Sequence, residues 1–489
     1  MQVYDVLVVG GGVSGLTAAS LLAKQGYSVL VCEGSNELGG CAGKFDRSGY
    51  RFAVGATLGM GFEEGGVLRK LYEQLNIPLP LMESQNVIME VHLPDQTISY
   101  KQSATEWYAE LRRQFPLESE RMIAFYEEIF LVGRRLAPLL DSPPIFPPRT
   151  MKNFTQTMSQ IKKEQLLLAP FLVQTVSERL KKYDLLNNRA FVHFINGQLI
   201  DSVQTTAEHC PAFLGYAALQ TFHRGAYYVY GGLATIAEDL AQSVLSHGGK
   251  VEKRQSVINI SKKQSLWEVR TNKEIFLAKK LILSQSLHNV GQLFDDSWKK
   301  QIRVKEEEEK KRPAWGAFTA YIGVRDQFSD PSIPLYHQFI NSYDVPMAEG
   351  NQFLLSMSRQ EDLKVAPRGY RAITLSTHTE PNAWWQKERY QERKQMYMDQ
   401  MLKSVNRIFP LFSSCIESVL PGTPVTFQRF TQRQGGKVGG YIPTGRWSWL
   451  KAYSPDSGVA GLWFCGDTVF PGAGTLAAVI SGTTAARNV

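Results

Sequence analysis

Three apolar runs stand out along the 489-residue chain: Val6-Leu7-Val8-Val9, Val29-Leu30-Val31-Cys32 and Leu462-Trp463-Phe464-Cys465. Each is short and lacks polar alternation, a pattern that predicts strands buried on both faces of a parallel sheet. Between the first two, Leu16, Ala19, Leu22 and Ala23 recur at helical spacing and Gly26 marks a stop, so the order is strand, helix, strand. After the third run, Thr475 to Arg487 reads as a closing helix. Mid-chain, Leu168, Leu172, Val176 and Leu180 recur every four residues beside Lys162, Lys163, Lys181 and Lys182, interrupted by Pro170. That stripe fits a core helix or a membrane-docking one, and ordinary core packing is the commoner origin. Phe318-Thr319-Ala320-Tyr321-Ile322 reads as a strand, the proline-rich segment Ser142 to Pro148 as a loop, and the mixed-charge segment 299–312 as a solvated linker or crossing helix.

The first predicted turn carries chemistry. Gly10-Gly11-Gly12-Val13-Ser14-Gly15 satisfies G-x-G-x-x-G directly after a strand and at the start of a helix. The glycines serve a tight turn, close backbone approach to a pyrophosphate and close helix–strand packing, while the helix aims free N–H groups at the phosphates. Glu33 ends the second strand, where an acidic side chain accepts from a ribose hydroxyl; an NADP site would favour a basic residue nearby. Leu38-Gly39-Gly40-Cys41-Ala42-Gly43 then adds a second backbone amide nest for the same anion, and Gly55-Ala56-Thr57 follows. Near the C-terminus, Gly472, Gly474 and Ala477 mimic the fingerprint, but too few residues remain for a second β-α-β unit.

Composition narrows the class. At about three times the usual single-domain length, the chain holds more than one core. Hydrophobic residues at 43% and charged residues at 20% exclude disordered polymers and multispan membrane proteins. The uncharged stretch Val6 to Ala23 is too rich in Gly, Ser and Thr, and lacks a basic leader, to read as a signal or spanning helix. Lys and Arg exceed Asp and Glu by 54 − 46 = 8, a surplus better suited to an anionic membrane face than to nucleic acid, for which no motif is present. The five cysteines form no redox pair or disulfide framework, which favours a reducing, cytoplasmic setting, and the eight histidines show no metal-ligand spacing.

Gly39-Gly40-Cys41-Ala42-Gly43, Asp46 to Phe52, Val54-Gly55-Ala56, Tyr227 to Leu233 and Gly466-Asp467-Thr468-Val469-Phe470-Pro471-Gly472 together resemble the phytoene desaturase superfamily. Within it, the branch of carotenoid isomerases, carotenoid desaturases and retinol saturases is most similar. Cys41 stands where the amine-oxidase side usually has Arg, and Ala53 where many members carry Asp. The resemblance implies an α/β fold: a Rossmann-type FAD-binding domain of the two-dinucleotide-fold kind with an inserted mixed α+β substrate domain. FAD segments would occupy 1–75, 221–298 and 421–489, and substrate segments 76–220 and 313–420. FAD would rest on Gly10, Gly12, Val13, Ser14, Gly15, Glu33, Gly39, Gly40, Gly55, Ala56, Thr57, Val257, Gly466, Asp467, Gly474 and Thr475.

The function so implied is desaturation or cis/trans isomerisation of a carotenoid or other long polyene. Flavin carries the hydride or electron chemistry, so no catalytic triad is needed and no acid or base is assigned. Thr57, His223 and Arg224 are candidates for groups near the ring, with packing an equal alternative for each. The absence of a second complete fingerprint or redox cysteine pair points to oxygen or a quinone as electron acceptor, or to redox-neutral isomerisation. Attachment to the surface of a membrane is expected where the substrate is insoluble. The competing readings are a flavin amine oxidase and a non-catalytic prenyl-binding chaperone like the Rab GDP-dissociation inhibitors.

Overall fold

A computed structural model describes residues 2–141, 143–304, 312–328, 330 and 332–489. The centre of the expected charged linker, 305–311, lies outside the described residues.

Two seven-stranded sheets organise the chain. In the first, Val3–Val9 pairs in parallel with Val29–Glu33 on one side and Ile275–Leu283 on the other. Lys250–Lys253 extends one edge, and Leu462–Phe464 lies parallel to the C-terminal half of Ile275–Leu283. An antiparallel pair, Val257–Lys263 and Leu266–Thr271, completes it. The strand residues Val6, Leu7, Val8, Leu30 and Val31 are fully buried because both faces are covered. Helices Val13–Lys24, Ala234–Ser246 and Thr475–Asn488 cover one face. The closing helix docks directly on the first: a Cβ added at Gly482 would lie 2.2 Å from the carbonyl oxygen of Ser14, so the backbones approach as closely as glycine permits.

The second sheet runs in the order Ile416–Gly422, Gly316–Arg325, Tyr370–Thr379, Gln352–Met357, Tyr336–Ile340, Val87–His92 and Thr97–Lys101. All neighbours are antiparallel except Tyr336–Ile340 with Val87–His92. One face is apolar: Phe318, Ile322, Phe353, Leu355 and Leu375 are buried, with Phe318 packed on Trp384 and on Tyr397 of helix Tyr390–Ile408.

The stripe Leu168, Leu172, Val176 and Leu180 does not lie on one helix. The chain breaks it into Lys163–Leu166, Ala169–Leu172 and Val176–Lys182, consistent with the proline at 170. Leu168, Val176 and Leu180 are buried in the core of the second layer, so this stripe packs inward and does not present a membrane face. No helix among the described residues is long and apolar enough to cross a membrane.

Candidate active site

Four turns meet at the C-terminal edge of the parallel strands, the place where open α/β sheets bind ligands. In the first, Gly10 takes φ +104° and Gly12 is the N-cap of helix Val13–Lys24, with no side chain capping its first amides. Gly15 is enclosed: its added Cβ would lie 2.2 Å from the carbonyl oxygen of Gly10. The second turn docks on the first, since Gly39 N–H donates to Gly11 O at 2.9 Å and both Gly39 and Gly40 have left-handed φ. Glu33 sits beneath both. Its carboxylate accepts from Gly11 N–H and Ser35 N–H, each at 2.7 Å, and burial raises its pKa against the pull of those amides. Backbone bonds from Arg254 N–H to Ser35 O and Gln255 N–H to Glu33 O bring the segment before Val257 alongside.

The C-terminal turn, Gly466 to Gly474, opens helix Thr475–Asn488, again without a side-chain cap. Asp467 is paired with Arg433 at 2.7 Å, both side chains largely buried. Burial acts to lower the Arg433 pKa, but the Asp467 charge beside it prevails and raises it. The Cys41 thiol lies within the field of this pair and is pushed up by burial, so it is a packing thiol and not a thiolate. Arg433 was not identifiable from the sequence: it stands among glycine doublets with no periodicity, and only the fold brings it to Asp467.

Thr57 joins this corner to the second sheet. Tyr336 donates to Thr57 O at 3.2 Å and Tyr321 to Val54 O at 2.7 Å, so two tyrosines of the sheet clip the Gly55-Ala56-Thr57 loop. A cleft lined by Thr57, Tyr336, Ser356 and Thr374 opens there. These residues begin a row, Tyr336, Ser356, Thr374, Tyr321, across the face opposite the apolar one. The next row is Gln338, Leu354, Ser376, Thr319. Ala317, Leu354, Ser376 and His378 belong to interior strands and yet keep accessible surface on this face, beyond the Thr57 cleft.

His223 and Arg224 do not join the corner. His223 is enclosed by Tyr100, Trp107, Tyr126 and Phe130, with Nδ1 against Gln102 O at 3.1 Å, and burial lowers its pKa to about 4. Arg224 forms an ion pair with Glu63 at 2.9 Å. Helical proximity to a glycine-rich segment placed them near the site in sequence only; their packing is structural.

A family model for flavin containing amine oxidoreductases matches residues 13–489. The chain belongs to that family. Among relatives of this flavin amine oxidoreductase are the chloroplastic prolycopene isomerase of Daucus carota, 26% identical over 99% of this chain and 80% of the relative, and the all-trans-retinol 13,14-reductase of Homo sapiens, 23% identical over 87% and 75%. Wild-type putrescine oxidase bound to putrescine shares the fold at TM-score 0.67, with 15% identity over 100% of this chain and 99% of that one. The cofactor is FAD and the chain is an FAD-dependent enzyme.

The corner fits such a group. A Cβ added at Gly12, Gly472 or Gly474 would meet nothing within 4 Å, so open space lies over both glycine turns. Around it Gln285 Nε2 and Ser286 Oγ are buried without a hydrogen-bond partner among the described residues, a costly condition that a polar ligand relieves.

Proposed function

We propose that this FAD enzyme isomerises or desaturates a long isoprenoid polyene bound along the second sheet. FAD would lie across Gly10, Gly12, Val13, Ser14 and Gly15, with Glu33 toward the ribose, Gly39 and Gly40 at the diphosphate, and Val257 at the far end. Gly55, Ala56, Thr57, Gly466, Asp467, Gly474 and Thr475 would surround its reactive end. The first sheet then serves the cofactor and the second the substrate. When bound, FAD supplies hydride or electron transfer. The chain's own residues position the two partners: Tyr321 and Tyr336 hold the Thr57 loop against the cleft, and Arg433 fixes Asp467. The observation that carries this reading is the cleft at the Thr57 corner with accessible Leu354 and Ser376 beyond it on the same sheet face, in a chain related to prolycopene isomerase over nearly its whole length; the substrate channel would follow these strands.

The test uses FAD-loaded protein with acyclic carotenoids in liposomes, the flavin either oxidised or prereduced, and chromatographic separation of products. A cis/trans change at equal mass assigns isomerisation; a red-shifted product assigns desaturation, with oxygen or a quinone as acceptor. No product under either condition overturns the polyene reading.

The same proposal places the enzyme on an anionic membrane surface, where such a substrate dissolves. Helix Met151–Gln160 is inverted: Asn153 and Thr157 are buried, while Met151, Phe154 and Met158 are 76%, 48% and 45% exposed on one face. Exposed Leu166 and Leu167 follow it in the chain. Trp447 and Leu450, also exposed, sit on a segment that Arg149 holds through the carbonyls of Leu450 and Ala452. Residues 143–163 carry Arg149, Lys152, Lys162 and Lys163 and no carboxylate, matching anionic lipid. Phe146, stacked on Trp449, also contacts Phe470 of the C-terminal turn at 4.7 Å, so the patch borders the cofactor corner. In flotation with vesicles of equal parts phosphatidylglycerol and phosphatidylcholine, Phe154→Glu with Met158→Glu is expected to weaken binding at least about tenfold. Equal binding of variant and wild type removes the membrane assignment.

A further inference from the structure

Farther along the same face of the second sheet, Gln338 and Gln352 meet an acid that none of the chemistry above uses. Asp201 lies in the last turn of helix Arg189–Val203, against the second sheet, and keeps accessible surface. Gln352 Nε2 donates to both of its carboxylate oxygens, at 3.0 and 3.1 Å, and Gln338 Nε2 donates to Oδ2. Gln338 is itself oriented by Gln198, whose Nε2 donates to Gln338 Oε1 at 2.9 Å. Gly197 makes room for this arrangement, because a Cβ there would fall 2.4 Å from Gln338 Oε1. All three glutamines are fully buried.

This cluster has acceptors in excess. The Asp201 carboxylate is met by amides and by no cation among the described residues. Gln352 Oε1 is buried without a partner, and so is Oε1 of Gln204, the residue that caps the same helix. Burial pushes the Asp201 pKa up to about 7, with the two amides pulling it partway back. A buried acid with unpaired acceptors around it is costly in isolation and is satisfied by a ligand that brings an O–H donor. Gln352 lies four residues along its strand from Ser356, the residue beside Tyr336 at the Thr57 corner. At strand spacing that is roughly 14 Å from the corner along the strand.

We infer that Asp201, held by Gln338 and Gln352, is the subsite for a hydroxyl group at the end of the isoprenoid substrate. The assignment rests on the polyene reading above and narrows it: the substrate is an oxygenated isoprenoid and not a plain hydrocarbon. The hydroxyl donates to the carboxylate or to Gln352 Oε1, and the rest of the chain lies along Leu354 and Ser376 toward Thr57. Gln204 is held beside the cluster, since it approaches Gly439 and its carbonyl accepts from Trp315 Nε1 at 2.9 Å.

The experiment compares an acyclic carotenoid and its terminally hydroxylated counterpart on FAD-loaded wild type, Asp201→Asn and Asp201→Ala, reading both dissociation constant and turnover. Wild type is expected to favour the hydroxylated substrate at least about tenfold, because a site built to pair a hydroxyl rejects the analogue that lacks it. Asp201→Ala is expected to lose that preference, the two substrates then having equal dissociation constants, and Asp201→Asn to keep part of it. Equal handling of the two polyenes by wild type overturns the subsite and leaves the polyene reading standing, whatever the stability of the variants. Failure of both polyenes to bind overturns both.

Discussion

Acidification from pH 7 to pH 5 is expected to destabilise this protein by an amount comparable to its whole folding free energy. Five of its eight histidines, His92, His223, His288, His337 and His378, are held neutral by burial, with pKa values lowered to about 4 for His92, His223 and His378 and about 3 for His288 and His337. His92 and His337 even share a hydrogen bond at 3.0 Å, which requires at least one uncharged ring nitrogen. An unfolded imidazole takes a proton near pH 6.5, so the unfolded chain binds more protons than the folded one between that value and each lowered pKa. Stability is therefore complete above about pH 6.5 and falls as the pH drops through the window, at roughly 2 kcal/mol per imidazole by pH 5. Asp201 and Glu33, raised by burial, work in the opposite direction and offset part of the loss. Five rings at that rate give a gross loss on the order of 10 kcal/mol before the offset, against a typical total of about 5–15 kcal/mol. Thermal melts followed by circular dichroism at pH 7.5, 6 and 5 check it: a melting temperature that stays level to pH 5 is incompatible with five neutral buried rings.

The glycines of the first turn should separate folding from cofactor binding. At Gly15 an alanine methyl group would lie 2.2 Å from the Gly10 carbonyl oxygen and 2.8 Å from Ser284 Cβ, and backbone cannot yield there without opening the strand–helix junction. Gly15→Ala is expected to leave the protein insoluble or to lose more than about 4 kcal/mol, the range reserved for disruption of a core or backbone device. Gly12 differs. Its φ of −72° and ψ of 168° suit any residue, and its Cβ would meet open space. Gly12→Ala should melt like wild type and yet bind FAD at least about tenfold more weakly, because the methyl group enters the space that the diphosphate is proposed to fill. Titration with FAD, followed by flavin fluorescence, reads the difference. Unchanged FAD affinity in Gly12→Ala would falsify the placement of the cofactor on this turn.

The parts legible from sequence are those built from contiguous residues. The run Val6 to Val9, the glycines, the helix and Glu33 all lie within about thirty residues, so spacing alone specifies strand, turn, helix and strand. The closing strand and helix were legible for the same reason. The stripe at 168–180 shows the converse: periodicity correctly marked Leu168, Val176 and Leu180 as inward-facing, but it could not show that the chain divides them among short helices.

What the sequence determined by itself is the family, the cofactor and the local form of the glycine turns, because each follows from residue types at fixed short spacing. The tertiary structure alone decided which distant groups meet. Arg433 finds Asp467, Tyr336 and Tyr321 clip the Thr57 loop, and Gln338 and Gln352 converge on Asp201 from two strands beneath a helix. Such contacts depend on strand order and register, which set which side chains share a face. A one-residue slip in Gln352–Met357 would turn Gln352 to the opposite face and leave Asp201 without one of its amides. The identity of this enzyme is therefore written in local spacing, and its selectivity in the alignment of one sheet.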